Sequence, residues 1–213
     1  TLTFGNTGTL TASNSVTNAG TFTNDTAGTL AAINTVTNSG TFTNAGGFSA
    51  ADLENTGTST FDNTGTLNAS NSVTNAGTFT NDTAGTLAAI NAVTNAGTFT
   101  NGGGFNATDL ENTATSTFDN TGTINATNSI TNAGTFTNDT AGTLTAINTV
   151  TNAGTFTNGG DFTTIETNNT ETLENTGTLN VTTINNEGNT LGDGTYNILG
   201  DFTSSGTFFS AAG

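Results

Sequence analysis

Apolar residues recur along this chain as single positions between hydroxyl side chains. Leu10, Val16 and Phe22 each lie between two Thr or Ser residues, and Leu, Val and Phe return at equivalent positions 20 residues later. Because successive side chains of a β-strand point to opposite faces, each triplet predicts a short strand with its apolar centre inward and its hydroxyls outward. The centres step by 6, 6 and 8 residues. This spacing predicts a three-sided coil of ~20 residues.

The coils belong to a longer repeat of 57 residues. Residues 63–81 match residues 6–24 except that Asn68 replaces Thr11. Self-similarity at a fixed short period is typical of a solenoid, in which each coil buries its apolar side against its neighbours. We predict an all-β protein, a parallel β-solenoid with three short strands per coil and three coils per 57-residue superrepeat. Nine or ten such coils predict a rod of roughly 45 to 50 Å.

The third coil of each superrepeat departs from the other two. We interpret Ser59 as the inward centre of its third side, where the first coil has Phe22, and Phe61 as the next inward residue, where the first coil has Asn24. The same exchange is expected at Ser116. A large and a small side chain would then swap sites at nearly constant volume, as a closely packed interior requires.

Two residues beyond each apolar centre the chain faces inward again. After the first side this position holds alanine in eight coils, from Ala12 to Ala146, which lets a narrow interior close. After the second side it holds asparagine, whose amide can hydrogen-bond both neighbouring coils and the turn backbone when it is stacked in register. The predicted structural Asn ladder comprises Asn18, Asn38, Asn55, Asn75, Asn95, Asn112, Asn132 and Asn152.

Composition limits the class of partner. The chain has no Lys, Arg or His and carries 16 acidic residues, for a net charge of −16. Without cationic side chains it is a poor partner for nucleic acid and for anionic membrane surfaces, so we predict no nucleic-acid binding. No stretch approaches the ~20 consecutive apolar residues of a membrane span, so we predict that the chain does not span a membrane.

Two short motifs carry a family resemblance. Asn-x-Gly-Thr-Phe-Thr-Asn, as in residues 18–24, and Asn-Thr-Gly-Thr-Leu, as in residues 63–67, recur over about residues 1–180. They resemble the repeats of bacterial secreted β-helix adhesins, the autotransporter passengers and filamentous haemagglutinin-like proteins. The resemblance implies a right-handed parallel β-helix, an extracellular or cell-surface location, an adhesive role without catalysis, and a cell-surface or matrix ligand.

The pattern divides the chain into two segments. Residues 1–180 are the predicted regular solenoid, although the repeat loosens from Asp161 onward. Residues 181–213 are predicted to be irregular last coils that form a cap or a subunit-joining segment, with Phe208 and Phe209 in either role. Unpaired strand edges at a solenoid end template further strands. We therefore expect self-association into a filament or bundle, with head-to-tail growth.

Threonine doublets on the Phe-bearing third side form a candidate surface site. Stacked coils would set them in two columns with rungs ~4.8 Å apart, a flat grid of hydroxyl and methyl groups. This grid resembles the Thr array of β-solenoid ice-binding proteins, although Thr also simply suits exposed strands. The predicted surface array comprises Thr21, Thr23, Thr41, Thr43, Thr58, Thr60, Thr78, Thr80, Thr98, Thr100, Thr115, Thr117, Thr135, Thr137, Thr155 and Thr157.

Carboxylates are the second candidate. Asp52 and Glu54 recur as Asp109 and Glu111, and outward carboxylates are the ligands that Ca²⁺ prefers. Calcium-dependent adhesion is therefore one hypothesis, although the glycine-rich repeat of calcium β-rolls is missing and a solvated acidic surface is the simpler interpretation. Paired carboxylates also serve acid–base catalysis, but an active site normally lies in a cleft that breaks the repeat.

These patterns together favour a non-enzyme. We predict an extracellular structural and adhesive β-solenoid, a stalk or filament subunit at the cell surface, without catalytic residues, a resident cofactor or a specific metal site. Ice binding through the Thr array and calcium-dependent adhesion are the alternatives.

Overall fold

A computed structural model describes residues 2–209, and Thr1 and residues 210–213 lie outside the described part of the chain. The described residues form a β-solenoid of about 11 turns, with about 19 residues and three strands per coil. The predicted all-β solenoid fold is thus confirmed. The described range contains no helix of the length and apolarity needed to cross a membrane.

The strands are short and evenly spaced. In chain order they are β1 (Thr3–Asn6), β2 (Thr9–Ala12), β3 (Val16–Asn18), β4 (Thr21–Asn24), β5 (Thr29–Ala32), β6 (Thr35–Asn38), β7 (Thr41–Asn44), β8 (Gly47–Asn55), β9 (Thr60–Asn63), β10 (Thr66–Asn75), β11 (Thr78–Asn81), β12 (Thr86–Ala89), β13 (Ala92–Asn95), β14 (Thr98–Asn101), β15 (Gly104–Asn112), β16 (Thr117–Asn120), β17 (Thr123–Asn132), β18 (Thr135–Asn138), β19 (Thr143–Asn152), β20 (Thr155–Asn158), β21 (Asp161–Asn169), β22 (Thr172–Asn175), β23 (Thr178–Asn186), β24 (Asn189–Leu191), β25 (Thr195–Ile198), β26 (Phe202–Ser204) and β27 (Thr207–Phe208).

The three sides of the coil form two sheets. Within residues 2–209, one sheet has 12 parallel strands and is the third side of the coil, which we call the Phe side; it runs β1, β4, β7, β9, β11, β14, β16, β18, β20, β22, β24, β27. The first and second sides together form a sheet of 15 described strands. They merge because strands such as β8, β10 and β17 bend across the shared corner without a break.

The interior of the Phe side is a continuous column of stacked rings. Phe22 stacks on Phe42 with ring centroids 4.6 Å apart and ring planes 13° apart, and the stacking continues to Phe156. From Phe42 to Phe156 these rings have no solvent exposure. Leu, Val and Ile from the first and second sides complete a single apolar cluster. Burial of these side chains is the main favourable contribution to folding.

The third coil keeps its phenylalanine in this column. Phe61 is aligned with Phe42 and Phe79, and its ring stacks 4.8 Å and 4.9 Å from theirs. The predicted exchange of inward sites at Ser59 and Ser116 is therefore wrong. Ring-on-ring contact is retained because it buries a large apolar area in the interior, and the length of the preceding corner adjusts instead.

That corner is longer in the third coil and closes as a turn. Gly57 has φ +58°, a conformation that glycine adopts without a Cβ clash. Ser59 is buried in the turn, where its hydroxyl donates to Asn55 Oδ1 at 2.7 Å and to the Thr56 carbonyl at 2.6 Å. In the next superrepeat the positive φ of +70° falls on Thr115 instead. The extra length thus projects outward and leaves the stack undisturbed.

The solenoid continues through the segment that the sequence marks as irregular. Strands β23 to β27 pair in parallel register with the coil before them, so about 11 turns replace the predicted nine or ten, a length of roughly 53 Å. On the Phe side, Leu173 is aligned with Thr190 of the next coil, and Thr190 is aligned with Phe208 of the coil after that. The interior becomes less apolar here, since the hydroxyls of Thr167 and Thr190 are buried without a hydrogen-bond partner.

The asparagines that follow the second side form an interior amide column. From Asn18 to Asn186 each Nδ2 donates to Oδ1 of the next member, at 2.7 to 2.9 Å. The same Nδ2 usually bonds a backbone carbonyl of the following turn as well; Asn95, for example, donates to Gly97 O at 3.2 Å and Thr117 O at 2.8 Å. The column therefore joins successive coils and satisfies the corner backbone.

A second amide column lies at the corner after the Phe side. It runs from Asn6 through Asn24 and Asn101 to Asn175, with Nδ2 to Oδ1 distances of 2.7 to 2.8 Å. A third, exterior series is shorter and runs the other way, with Asn91 donating to Asn71 at 2.7 Å. The two interior columns are buried, whereas Asn91 and Asn71 are exposed.

Removal of one interior amide should cost far more stability than removal of an exterior one. Asn101→Ala deletes hydrogen bonds to Asn81, Asn120 and the backbone of the next coil, and it leaves the buried Asn120 Oδ1 without its donor. We expect a loss of ~3 kcal/mol in the free energy of unfolding, against less than ~0.5 kcal/mol for the control Asn91→Ala. Urea denaturation followed by far-UV circular dichroism measures both, and equal losses would contradict the role given to the interior columns.

Candidate functional site

The Phe side presents two outward columns, one on each side of the buried rings. The first Thr column is unbroken over ten described coils and comprises Thr3, Thr21, Thr41, Thr60, Thr78, Thr98, Thr117, Thr135, Thr155 and Thr172. The second Thr column contains carboxylates at regular intervals and comprises Thr23, Thr43, Asp62, Thr80, Thr100, Asp119, Thr137, Thr157 and Glu174.

Two members of the predicted array lie elsewhere. Thr58 and Thr115 are in the long corner turns, and their partners Thr60 and Thr117 belong to the first Thr column. This correction follows from the register of the phenylalanines. In the third coil of each superrepeat the two residues that flank the buried Phe are a Thr and an Asp, as in Thr60-Phe61-Asp62. The other twelve predicted threonines lie in the two columns. The first Thr column therefore has a threonine in every coil from Thr3 to Thr172, whereas carboxylates interrupt the second Thr column at Asp62, Asp119 and Glu174.

The columns form a regular polar surface over a rigid base. Parallel neighbours in the sheet lie ~4.8 Å apart, and from Thr21 to Thr172 every Thr of the first column is followed by a buried Phe or Leu that fixes its strand. Thr41, Thr78, Thr98, Thr135 and Thr155 are exposed, while members of the second column such as Thr43, Thr80 and Thr100 are half-buried. The surface therefore offers hydroxyl and methyl groups in fixed positions and no cleft.

Partial burial disfavours the charged forms of Asp62 and Asp119, the two aspartates of the second Thr column. Partial burial raises the pKa of Asp62 above its ordinary value of 3.8, a hydrogen bond with Thr80 lowers it, and the neighbouring Asp82 carboxylate raises it. Asp119 repeats this environment, with its pKa raised by burial, lowered by Thr137 and raised by Asp139. At the last coils, burial and then the charge of Glu174 raise the pKa of Tyr196 to about 12.

The carboxylates that suggested catalysis or calcium binding are spread around the rod. Asp52 Oδ1 accepts hydrogen bonds from Asn71 Nδ2 at 2.7 Å, Ser72 Oγ at 2.6 Å and Ser72 N at 3.2 Å. Asp109 makes the same three bonds one superrepeat later. In the third coil the corner between the first and second sides is one residue shorter than in the next coil, and these carboxylates bond across it. Their role is therefore structural. Among residues 2–209 no three acidic, His or Cys side chains come close enough to hold a metal ion.

Sequence reasoning missed two features of the surface and corners. The second amide column was not expected, although Asn24 follows Phe22 at the same distance as Asn18 follows Val16. Ile33, with its equivalents one and two superrepeats later, is exposed at the corner between the first and second sides. The signal for both was present as an exact 57-residue recurrence in the sequence.

Comparison of the chain with protein-family models, with curated proteins and with solved structures finds no match in any of the three.

The pKa directions predict that Asp62 and Asp119 lower stability at neutral pH. A folded-state pKa above 3.8 means that the folded chain binds these protons more tightly than the unfolded chain does, so stability falls as the pH rises through the folded value. The double variant Asp62→Asn/Asp119→Asn should be more stable than the parent at pH 7 and melt at a higher temperature. The gain in the free energy of unfolding should be less than ~1 kcal/mol in total, because both groups are largely solvated. The gain should vanish below pH 3.8.

The control for this test is Glu54→Gln/Glu111→Gln, which removes the same charge from exposed residues of the same two coils. A gain as large as that of the aspartate pair, or one that persists at acid pH, would show that net charge and not the local environment is responsible.

Proposed function

We propose that this chain is an extracellular structural rod, a non-catalytic stalk or filament section of a cell-surface adhesin. The observation that supports this most directly is continuity. The Phe column and the interior amide columns run through successive coils, and the irregular features recur at the superrepeat instead of gathering at one place. A scaffold whose irregularities repeat is suited to length and stiffness rather than to one reaction centre.

Stiffness follows from the number of independent links between coils. From Phe22 to Phe156 each coil is held to the next by parallel strand pairing on three sides, by two buried amide bonds and by ring stacking. Bending or local opening must break several of these together, which leaves few sites for a protease to enter. The outward carboxylates and hydroxyls keep the rod hydrated, and a matrix or cell-surface ligand would have to be neutral or cationic where it touches the rod.

Head-to-tail growth uses the same register. Phe4 occupies the position of the Phe column in the first described coil and is 45% exposed, while Phe208 occupies the equivalent position in the last described coil, beyond Leu173 and Thr190. In a filament the first strands of one copy would continue the last strands of another, with Phe4 stacked on Phe208. Such growth would give rods in multiples of one molecular length.

The location and shape can be tested together on the source cells and the purified chain. Antibodies raised against the chain should label intact, non-permeabilised cells, and negative-stain electron microscopy should show rods of ~50 Å or multiples of it. The parent should resist proteinase K, whereas Asn101→Ala should be cut near β14. Labelling of lysed cells alone would contradict the extracellular role, and rapid cleavage of the parent would contradict the mechanical one.

Ice binding is a second candidate, and the unbroken first Thr column favours it. The variant Asp62→Thr/Asp119→Thr would extend the second Thr column without interruption from Thr23 to Thr157. If the Phe side binds ice, this variant should show greater thermal hysteresis than the parent, and Thr98→Tyr should abolish the activity by blocking the grid.

The matched control for the blocking variant is Thr94→Tyr, an outward position on the second side of the same coil. Absence of hysteresis in both the parent and the completed array, or equal losses from Thr94→Tyr and Thr98→Tyr, would remove ice binding by the Phe side.

A further inference from the structure

The second amide column contains two asparagines that are followed by glycine. Asn101 precedes Gly102 and Asn158 precedes Gly159, and no other Asn-Gly step occurs in the chain. Every other member of the two interior columns is followed by Ala, Ser, Thr, Asp or Glu. An Asn-Gly step is the most reactive asparagine step in a polypeptide, because glycine has no Cβ to hinder approach of its backbone nitrogen to the side-chain amide carbon.

The shape of the corner does not require glycine at these two positions. Ala45 occupies the equivalent position one superrepeat before Gly102. A Cβ added to Gly102 or Gly159 would meet no atom closer than 3.4 Å, which is ordinary van der Waals contact, and neither glycine has a positive φ. The backbone nitrogens of all three residues donate to the preceding coil at 2.7 Å. The glycines therefore add chemical reactivity without a conformational need.

The closed coil holds Asn101 away from this reaction. Asn101 has no solvent exposure, and its Oδ1 accepts a hydrogen bond from Asn81 Nδ2 at 2.8 Å. Its Nδ2 donates to Asn120 Oδ1 at 2.8 Å and to Gly103 O at 3.2 Å. The attacking nitrogen is occupied as well, since Gly102 N donates to Asn81 O at 2.7 Å. Rotation of the amide toward Gly102 N would break these side-chain bonds together, with no water present to replace them.

Asn158 is held in the same way. It has no solvent exposure, its Oδ1 accepts from Asn138 Nδ2 at 2.8 Å, and its Nδ2 donates to Asn175 Oδ1 at 2.7 Å and to Gly160 O at 3.1 Å. Gly159 N donates to Asn138 O at 2.7 Å. The two reactive steps thus lie in the interior at the same corner, 57 residues apart.

We propose that Asn101 and Asn158 are latent self-modification sites, protected in the closed rod and converted to aspartate or isoaspartate when their coil opens. In the opened coil the nitrogen of the following glycine forms a bond to the asparagine Cγ. The Cγ–Nδ2 bond breaks, and the proton removed from the glycine nitrogen returns through water to Nδ2, which leaves as ammonia. Water then adds to one of the two carbonyls of the resulting succinimide ring, which opens to aspartate or to isoaspartate.

The product cannot resume its place in the column. A carboxylate has no hydrogen to donate, so at position 101 its oxygens would face Asn120 Oδ1 and Gly103 O, which are acceptors. Burial of this charge is costly, because the chain has no cationic side chain to pair with it. Isoaspartate also adds a carbon atom to the backbone of the corner. Opening of the rod at these two coils therefore becomes irreversible.

Comparison of the folded and the urea-unfolded chain in mildly alkaline buffer tests the protection. Fragmentation mass spectrometry locates each modified asparagine, and enzymatic methylation measures isoaspartate. Modification of Asn101 and Asn158 should be at least ~10-fold faster in the unfolded chain than in the folded one, since reaction in the folded chain requires local opening. Similar rates in the two states, or modification of the unfolded chain spread evenly over other asparagines, would overturn the proposal.

Two variants change the reactivity and leave every asparagine in place. Gly102→Ala/Gly159→Ala should remove most of the modification from the unfolded chain. Ala45→Gly should add a third site, at Asn44, in the unfolded chain and leave it protected in the folded one, where Asn44 makes the same bonds. Modification of Asn44 in the folded Ala45→Gly variant would show that the column does not protect, and the proposal would fail.

The yield of refolding on dilution from urea, followed by far-UV circular dichroism, measures irreversibility. The yield of the parent should fall with time in urea at the rate at which its asparagines are modified, whereas Gly102→Ala/Gly159→Ala should keep its yield. Equal decay of the two yields would contradict the proposal.

A product analogue gives the same answer without refolding. Asn101→Asp/Asn158→Asp should melt well below the control Asn68→Asp/Asn106→Asp, which adds the same charge at exposed positions. Equal melting temperatures would show that the carboxylates are tolerated in the column and would overturn the irreversible step. Surface labelling of cells and the length of the rod do not depend on these variants, so failure of this inference is distinguishable from failure of the proposed function.

Discussion

The fixed register between successive coils is the constraint on which the rest of this molecule depends. Parallel strand pairing alone tolerates a slip, since its backbone bonds repeat along the strand. Buried amides and stacked rings do not, because each Nδ2 finds an Oδ1 and each ring finds a ring only at one alignment. The corners change length between coils while these contacts stay in place. Outward side chains consequently fall into straight columns, and every surface property of the rod derives from that alignment.

Much of the architecture could be predicted from the sequence because the apolar period is so regular. The spacing of Leu10, Val16 and Phe22 is enough to predict the three-sided coil. The alignment of the third coil could not be obtained by counting equal steps, which placed Ser59 in the column that Phe61 occupies. The physical reason is that packing of large rings determines the register, and a corner can absorb two residues at little cost when a turn is available.

The same error concealed part of the surface. With Phe61 at the site of an asparagine, the second amide column looks interrupted, and the Thr doublet of the third coil is assigned two residues too early, to Thr58 and Thr60. Once the rings are aligned, Asp62 and Asp119 fall among the threonines and Thr60 joins an unbroken column. Corner residues such as Ile33 were missed for a different reason, since the alternation rule applies within strands and says nothing about the turns between them.

The direction of the amide bonds gives the rod an electrical polarity. In both interior columns the Nδ2 of each asparagine points to the following coil and its Oδ1 to the preceding one, so the small dipoles add along the axis. A β-sheet itself contributes little net dipole, and the shorter exterior series points the opposite way without matching the interior ones in length. The first coil is thus the partially negative pole and the last coil the partially positive one. Rods laid antiparallel cancel their axial fields, and rods placed end to end attract each other.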